Sequence, residues 1–280
     1  ALFNLDHSHK IFKEKGIDAY AKHQQKNEHV VLEPGVGFTL VKKLLKLNSK
    51  KTPIDVILLS RNSADTGLRI FNSIEHYDLN ISRAAFTRGE STHPFVGAFE
   101  ADLFLSSNYN DVQKALQSGY AAASIVESKS NNSHPSQLRI AFDGDAAIFS
   151  DEAERIFQEK GLEAFHENEI LSEKIELKAG PFKSFLVSLQ KIQSTFPEEN
   201  NPIRTALVTA RSAPSHRRVI HTMREWGIRI DESFFLGGLE KGVFLKQFAA
   251  DIFFDDQQQH CESASQYVPT GHVPSGIKNS

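Results

Sequence analysis

Cysteine is nearly absent from this 280-residue chain, Cys261 being the only one. One thiol excludes an intramolecular disulfide and suits a reducing, cytoplasmic setting. No apolar stretch approaches the roughly 20 residues that a membrane-spanning helix needs, so no membrane partner is expected. Long basic runs are missing too, and the formal net charge is −3, which argues against a nucleic acid polymer as partner. The 12 histidines show no ligand spacing, so none is assigned to a metal. Ala1 is not preceded by a methionine or a signal-peptide pattern, which leaves open whether residues upstream are missing. What remains has ordinary globular composition, 40% hydrophobic and 24% charged, and is long enough for one large domain or two of usual size.

The most informative stretch is Leu138 to Asp151, LRIAFDGDAAIFSD. Five mostly apolar residues fit a buried strand of a parallel sheet, and Asp143-Gly144-Asp145 sits at its carboxyl end. In open α/β sheets that edge binds ligands. Further strands are predicted at Ile54–Ser60, Ala84–Phe86, Asp102–Ser106, Ala121–Val126, Ile203–Thr209 and Asp251–Phe254, and Phe234-Phe235-Leu236 leads into Gly237-Gly238. Helical spacing falls between them, including Glu152–Phe165, with Ile156, Phe157, Leu162 and Phe165 on one face, and Phe182–Phe196. Gly16 reads as a helix end. Glu127–Gln137 is polar, aperiodic and contains Pro135, and reads as a linker. The tail from Ser263 carries two prolines and two glycines and reads as irregular.

The two halves repeat each other. Residues 54–105 align without a gap on 203–254, with thirteen identities in 52 positions. IFKEKGIDAY at 11–20 also echoes IFQEKGLEAF at 156–165. Where the second half has Thr209, Lys241, Asp255 and Asp256, the first has Ser60, Thr92, Ser106 and Ser107. The first copy also begins just after the place where a counterpart of the Asp143 strand would lie. The expected organisation is a degenerate α/β half at 1–127, a linker at 128–137 and a catalytic α/β half at 138–280.

Phosphate monoesters need accelerations up to ~10²¹, whereas general acid–base help supplies about 10²–10⁴. A covalent step, a metal and preorganised donors must therefore contribute. The second half carries groups for each. Asp143 can attack phosphorus, and Asp145 can act as acid and then base. Thr209, with nearby backbone amides, can hold phosphate oxygens, and Lys241 offers positive charge after Gly237-Gly238. Asp143, the Asp145 carbonyl, Asp255 and Asp256 form a hard oxygen set suited to Mg²⁺. Each motif is weak alone; their joint order carries the reading. Arg211 reaches for phosphate or ribose, Arg61 and Asn62 are candidates for sugar or base, and the first half is expected to help roof the site. Phe142 and Phe149 read as core.

FDGDAAIFSDE, LVTARSAPS, GGLEKG and IFFDDQ resemble the four motifs of haloacid dehalogenase-type phosphatases. With SRNSADTGLRIFNSIEHYDLNISRAAFTRGES and GHVPSG they resemble, over nearly the whole chain, the cytosolic 5′-nucleotidase type I family and its bacterial relatives. The resemblance implies a Rossmann-like parallel sheet of the haloacid dehalogenase type. It implies Mg²⁺-dependent hydrolysis of nucleoside 5′-monophosphates, AMP among them, in the cytoplasm. By motif, Asp143 is the nucleophile and Asp145 the acid/base. Gly144, Thr209, Ala210, Arg211 and Lys241 surround the phosphate, and Asp143, Asp145, Asp255 and Asp256 serve the metal. A phosphatase for another small ester and a non-catalytic nucleotide-binding module stay open as alternatives, as does homo-oligomer formation.

Overall fold

Leu138–Phe142 forms the strand that its apolar run predicts. In this computed structural model, which describes residues 1–128 and 133–279, the strand lies inside a seven-stranded sheet. Two compact units are present, residues 1–100 and 101–280.

The first unit contains α1 (Asp6–Lys26), α2 (Phe38–Leu47), β1 (Ile57–Ser60), α3 (Ala64–His76), β2 (Arg83–Phe86) and α4 (Pro94–Ala98). β1 and β2 pair in parallel. Phe3, Leu32, Phe38, Ile70, Ile74, Leu79 and Ile81 are buried together as its core. Gly16 interrupts the helical backbone, as its place in the sequence suggests, and a second helical stretch follows it within the same span. The glycine sits inside α1 at φ 80°, ψ −177°, as a kink that only glycine adopts cheaply.

The second unit contains β3 (Phe104–Ser106), α5 (Tyr109–Gln117), β4 (Ala122–Val126), β5 (Leu138–Phe142), α6 (Glu152–Leu171), α7 (Lys183–Gln193) and β6 (Ile203–Thr209). It continues with α8 (His216–Glu225), β7 (Glu232–Phe235), α9 (Gly242–Phe248), β8 (Ile252–Asp255), α10 (Gln258–Ala264) and β9 (Thr270–His272). Strand order is β3-β4-β9-β8-β5-β6-β7, parallel except where β4 meets β9. The result is a mixed α/β architecture with a mostly parallel sheet. Ala141, Ala206, Val208, Leu245, Phe248, Phe253 and Val268 are buried in one cluster of its core. Phe142 and Phe149 are fully buried, as core residues should be.

Three expectations change. The division between units falls at Glu100/Ala101 rather than near residue 127, because β3 and β4 are hydrogen-bonded into the second unit's sheet through β9. The polar 128–137 stretch therefore connects two strands of one sheet; its residues 129–132 lie outside the described residues. The tail is not irregular, since Thr270–His272 form β9 between β4 and β8. Gly271 makes this possible: a Cβ there would lie 2.8 Å from the Phe254 ring. Third, Phe157 and Leu162 are exposed while Phe165 is buried, because Gly161 (φ 82°, ψ 179°) kinks α6 and breaks the common face.

The repeat extends to backbone detail. β2 and β7 span residues exactly matched by the 149-residue offset, and α5 and α10 start at matched residues. Gly16 and Gly161 are equivalent kinks, and the antiparallel bridges Phe3–Pro34 and Phe149–Ala179 are near-equivalent. No counterpart of β5 is found among the described residues of the first copy.

Candidate active site

β5 ends at Phe142, so Asp143 leaves the sheet at its carboxyl edge, with its N–H donated to the Phe254 carbonyl of β8 at 2.7 Å. The turn Gly144–Ile148 follows, with Ala146 at φ 57°. Gly276 and Gly180 pack tightly against this turn: a Cβ at Gly276 would lie 2.8 Å from the Ala146 Cβ, and one at Gly180 would lie 2.3 Å from the Phe149 carbonyl oxygen. Gly144 faces Thr209, whose Oγ1 would be 3.4 Å from an added Cβ. Asp255 ends β8, Asp256 follows it, and both are buried. Their backbone is held by the tail: Val273 N–H donates to the Asp255 carbonyl, and His272 Nε2 and Asn279 Nδ2 contact the Asp256 carbonyl at 2.9 and 2.8 Å.

Lys241, buried at the start of α9, donates to Asp143 Oδ1 and to Asp255 Oδ2, both at 2.6 Å. Carboxylate oxygens of Asp143, Asp255 and Asp256 lie within 4.8 Å of one another. Three acids thus face one ammonium. Burial pushes Asp143 up to about 7; the Lys241 ammonium opposes this, and neighbouring Asp255 and Asp145 add to it. Burial, reinforced by Asp143 and Asp255, pushes Asp256 up to about 9. For Asp255, burial pulls upward, but Lys241 and then His260, whose Nδ1 stands 3.4 Å away, override it and hold the carboxyl at about 2. Burial would lower Lys241, yet Asp143 and Asp255 raise it well above its ordinary value.

Asp256 Oδ1 is buried with no hydrogen-bond partner among the described residues. An orphaned carboxylate oxygen beside two further acids is an excess of hard negative charge, and the donor set suits a small divalent cation such as Mg²⁺.

Asp145 is engaged elsewhere. Arg211 grips its carboxylate with two bonds, Nε to Oδ2 at 2.9 Å and Nη2 to Oδ1 at 2.7 Å. Arg211 Nη1 donates to Glu169 Oε2 at 2.6 Å, and Glu169 Oε1 accepts from Arg218 Nη1 at 2.9 Å. Burial alone would lower Arg211, but Asp145 and Glu169 raise it further above its already high value. The guanidinium expected to reach phosphate or ribose therefore holds two carboxylates. Thr209 is buried at the end of β6, its Oγ1 accepting from the Arg211 N–H, whereas Ala210 is exposed.

Asp143, Asp145, Thr209, Arg211, Lys241, Asp255 and Asp256 thus converge through direct bonds, a shared turn or neighbouring strand ends. Arg61 and Asn62 lie in the first unit. There Arg61 Nη1 donates to the Gly89 carbonyl and Asn62 Oδ1 accepts from the Tyr20 hydroxyl. Glu169, Arg218, His260 and His272 went unread in the sequence. Two signals could have found the first pair: Arg218 matches Arg69 in the repeat, and Glu169 matches Gln24.

Fold and site together define an α/β protein with a buried carboxylate–lysine centre at the carboxyl edge of a mostly parallel sheet. The chain belongs to the 5′-nucleotidase family, whose model matches residues 1–280. It is 39% identical over 280 residues to human cytosolic 5′-nucleotidase 1B, covering 95% of this chain and 46% of that protein. It therefore spans about half the length of that relative. No solved structure matches it significantly. Among the described residues, no helix is long and apolar enough to cross a membrane.

Proposed function

We propose that this chain is a Mg²⁺-dependent phosphatase of haloacid dehalogenase-type architecture that hydrolyses nucleoside 5′-monophosphates in the cytosol. Its first half is a non-catalytic copy of the second. The observation that carries the reading is the buried Asp143–Asp255–Asp256 cluster around Lys241, in a chain of the 5′-nucleotidase family.

Asp143, Asp255 and Asp256 would hold the cation, with the Asp145 carbonyl. When bound, Mg²⁺ supplies charge neutralisation and Lewis acidity at phosphoryl oxygens. An Asp143 carboxylate oxygen attacks phosphorus, the ester P–O bond breaks, and an aspartyl-phosphate forms. Asp145, protonated and with one of its two Arg211 bonds given up, gives that proton to the departing 5′-oxygen of the nucleoside. It then takes a proton from the water that attacks the aspartyl-phosphate, which releases phosphate and restores Asp143. Lys241 keeps the attacking oxygen oriented and balances charge on the transferring group. Thr209 and adjacent backbone amides hold phosphate oxygens.

A panel of phosphate esters, assayed with Mg²⁺ and with EDTA, tests the reading. Nucleoside 5′-monophosphates should turn over only with the metal, and Asp143→Asn should abolish turnover while leaving the fold intact. Near-normal rates in that variant would overturn the nucleophile assignment. A preference for sugar phosphates would overturn the substrate class.

A further inference from the structure

We infer that Glu169, 26 residues beyond Asp143 on the far half of α6, is a positioning residue that acts on the acid/base through Arg211. This rests on the functional reading above. Its own support comes from comparing the two copies. Glu169 is buried between two arginines, and its carboxylate occupies the one Arg211 nitrogen that does not grip Asp145. With Glu169 in place, the Arg211 fork is fixed from behind, and the ring of Phe165 lies 5.6 Å from its guanidinium. The Asp145 carboxylate is then seated bidentately, in one orientation.

The first copy shows which part of this chain is scaffold. At the matched positions stand Gln24 for Glu169, Asn62 for Arg211, Tyr20 for Phe165 and Arg69 for Arg218. Arg69 Nε donates to the Val30 carbonyl at 2.8 Å, and Arg218 Nε donates to the matched Ile175 carbonyl at the same distance. Arg69 Nη1 also reaches Gln24 Oε1 at 3.2 Å, as Arg218 reaches Glu169. That anchoring of the helix end is common to both copies, so it needs no carboxylate. Beyond it the copies diverge. Gln24 donates to the Tyr20 hydroxyl, which donates to Asn62, a neutral chain. The charged chain Glu169–Arg211–Asp145 occurs only in the copy that holds Asp143, Asp255 and Asp256. A buried glutamate is costly to keep ionised, and the first copy shows that this fold accommodates glutamine there. The carboxylate at 169 therefore serves Arg211 and Asp145 rather than folding.

Glu169→Gln tests this, since glutamine is the residue the first copy already carries. AMP needs its leaving oxygen protonated, whereas p-nitrophenyl phosphate releases a stable phenolate that does not. With Mg²⁺, the variant should lose tenfold or more in kcat/KM for AMP and less than threefold for p-nitrophenyl phosphate. Arg211→Lys should show the same asymmetry, and adding Glu169→Gln to it should cost nothing more. Equal losses on both esters, or none on either, overturn the inference. A second readout is independent of turnover: by NMR, the Arg211 Nε–H should exchange with solvent at least tenfold faster in Glu169→Gln than in the parent protein. Unchanged exchange also overturns it. Should the parent protein cleave no ester, the functional reading falls, and the exchange measurement still decides whether Glu169 fixes Arg211.

Discussion

At the residue scale, the centre combines three acids with one lysine, and that imbalance is measurable without substrate. Asp143 at about 7 and Asp256 at about 9 both exceed the ordinary carboxylate value. Between about pH 4 and pH 9 the metal-free folded state binds protons that the unfolded chain has released, so stability falls as pH rises through that window. Denaturant unfolding in EDTA should show this slope, and saturating Mg²⁺ should flatten it; a flat metal-free profile would contradict the burial of these acids. Lys241→Ala leaves two buried carboxylates without their ammonium, which should cost about 3–5 kcal/mol in EDTA and weaken phosphate binding. Thermodynamic equivalence with the parent protein, together with unchanged kinetics, would refute the role given to Lys241. Cys261 is buried with its thiol pushed up, foremost by burial, so alkylation should follow global unfolding rather than proceed in the native state.

At the element scale, two glycines of α6 and its following loop do different work. Gly161 needs φ 82° but has open space around it, so Gly161→Ala should cost about 1–3 kcal/mol of strain. Gly180 has no unusual φ, yet a Cβ there would sit 2.3 Å from backbone oxygen, against the Phe149–Ala179 bridge that shapes the turn after Asp145. Gly180→Ala should therefore be the more damaging change, and paired melting curves would show the order. Most strand positions were legible in the sequence because a buried strand writes its own apolar run; β9, the three residues Thr270–His272, has none. The α6 face was not, because one glycine rotates the second half of the helix and puts Glu169 inside while Phe157 and Leu162 face outward.

At the scale of the whole molecule, the last strand of each copy, β4 and β9, pair antiparallel within one sheet. Residues 101–126 therefore belong to the second unit's cooperative structure. A fragment covering 101–280 should unfold in one cooperative transition, whereas 138–280, which leaves β9 without its β4 neighbour, should be less stable or fail to fold. Equal stability of the two fragments would argue against this division. The repeat itself was readable from thirteen identities, but the boundary was not, since a polar stretch looks the same whether it joins domains or strands.

The amino-acid order alone determined the strands other than β7 and β9, the internal repeat and the four acidic and basic motifs at strand ends, because periodicity and turn chemistry act over a few neighbouring residues. Tertiary structure decided what those motifs meet. Lys241 reaches Asp143 across 98 residues, and Glu169 reaches Arg211 across 42. Such pairings follow from sheet order and from which helix face is buried, and no local pattern encodes either.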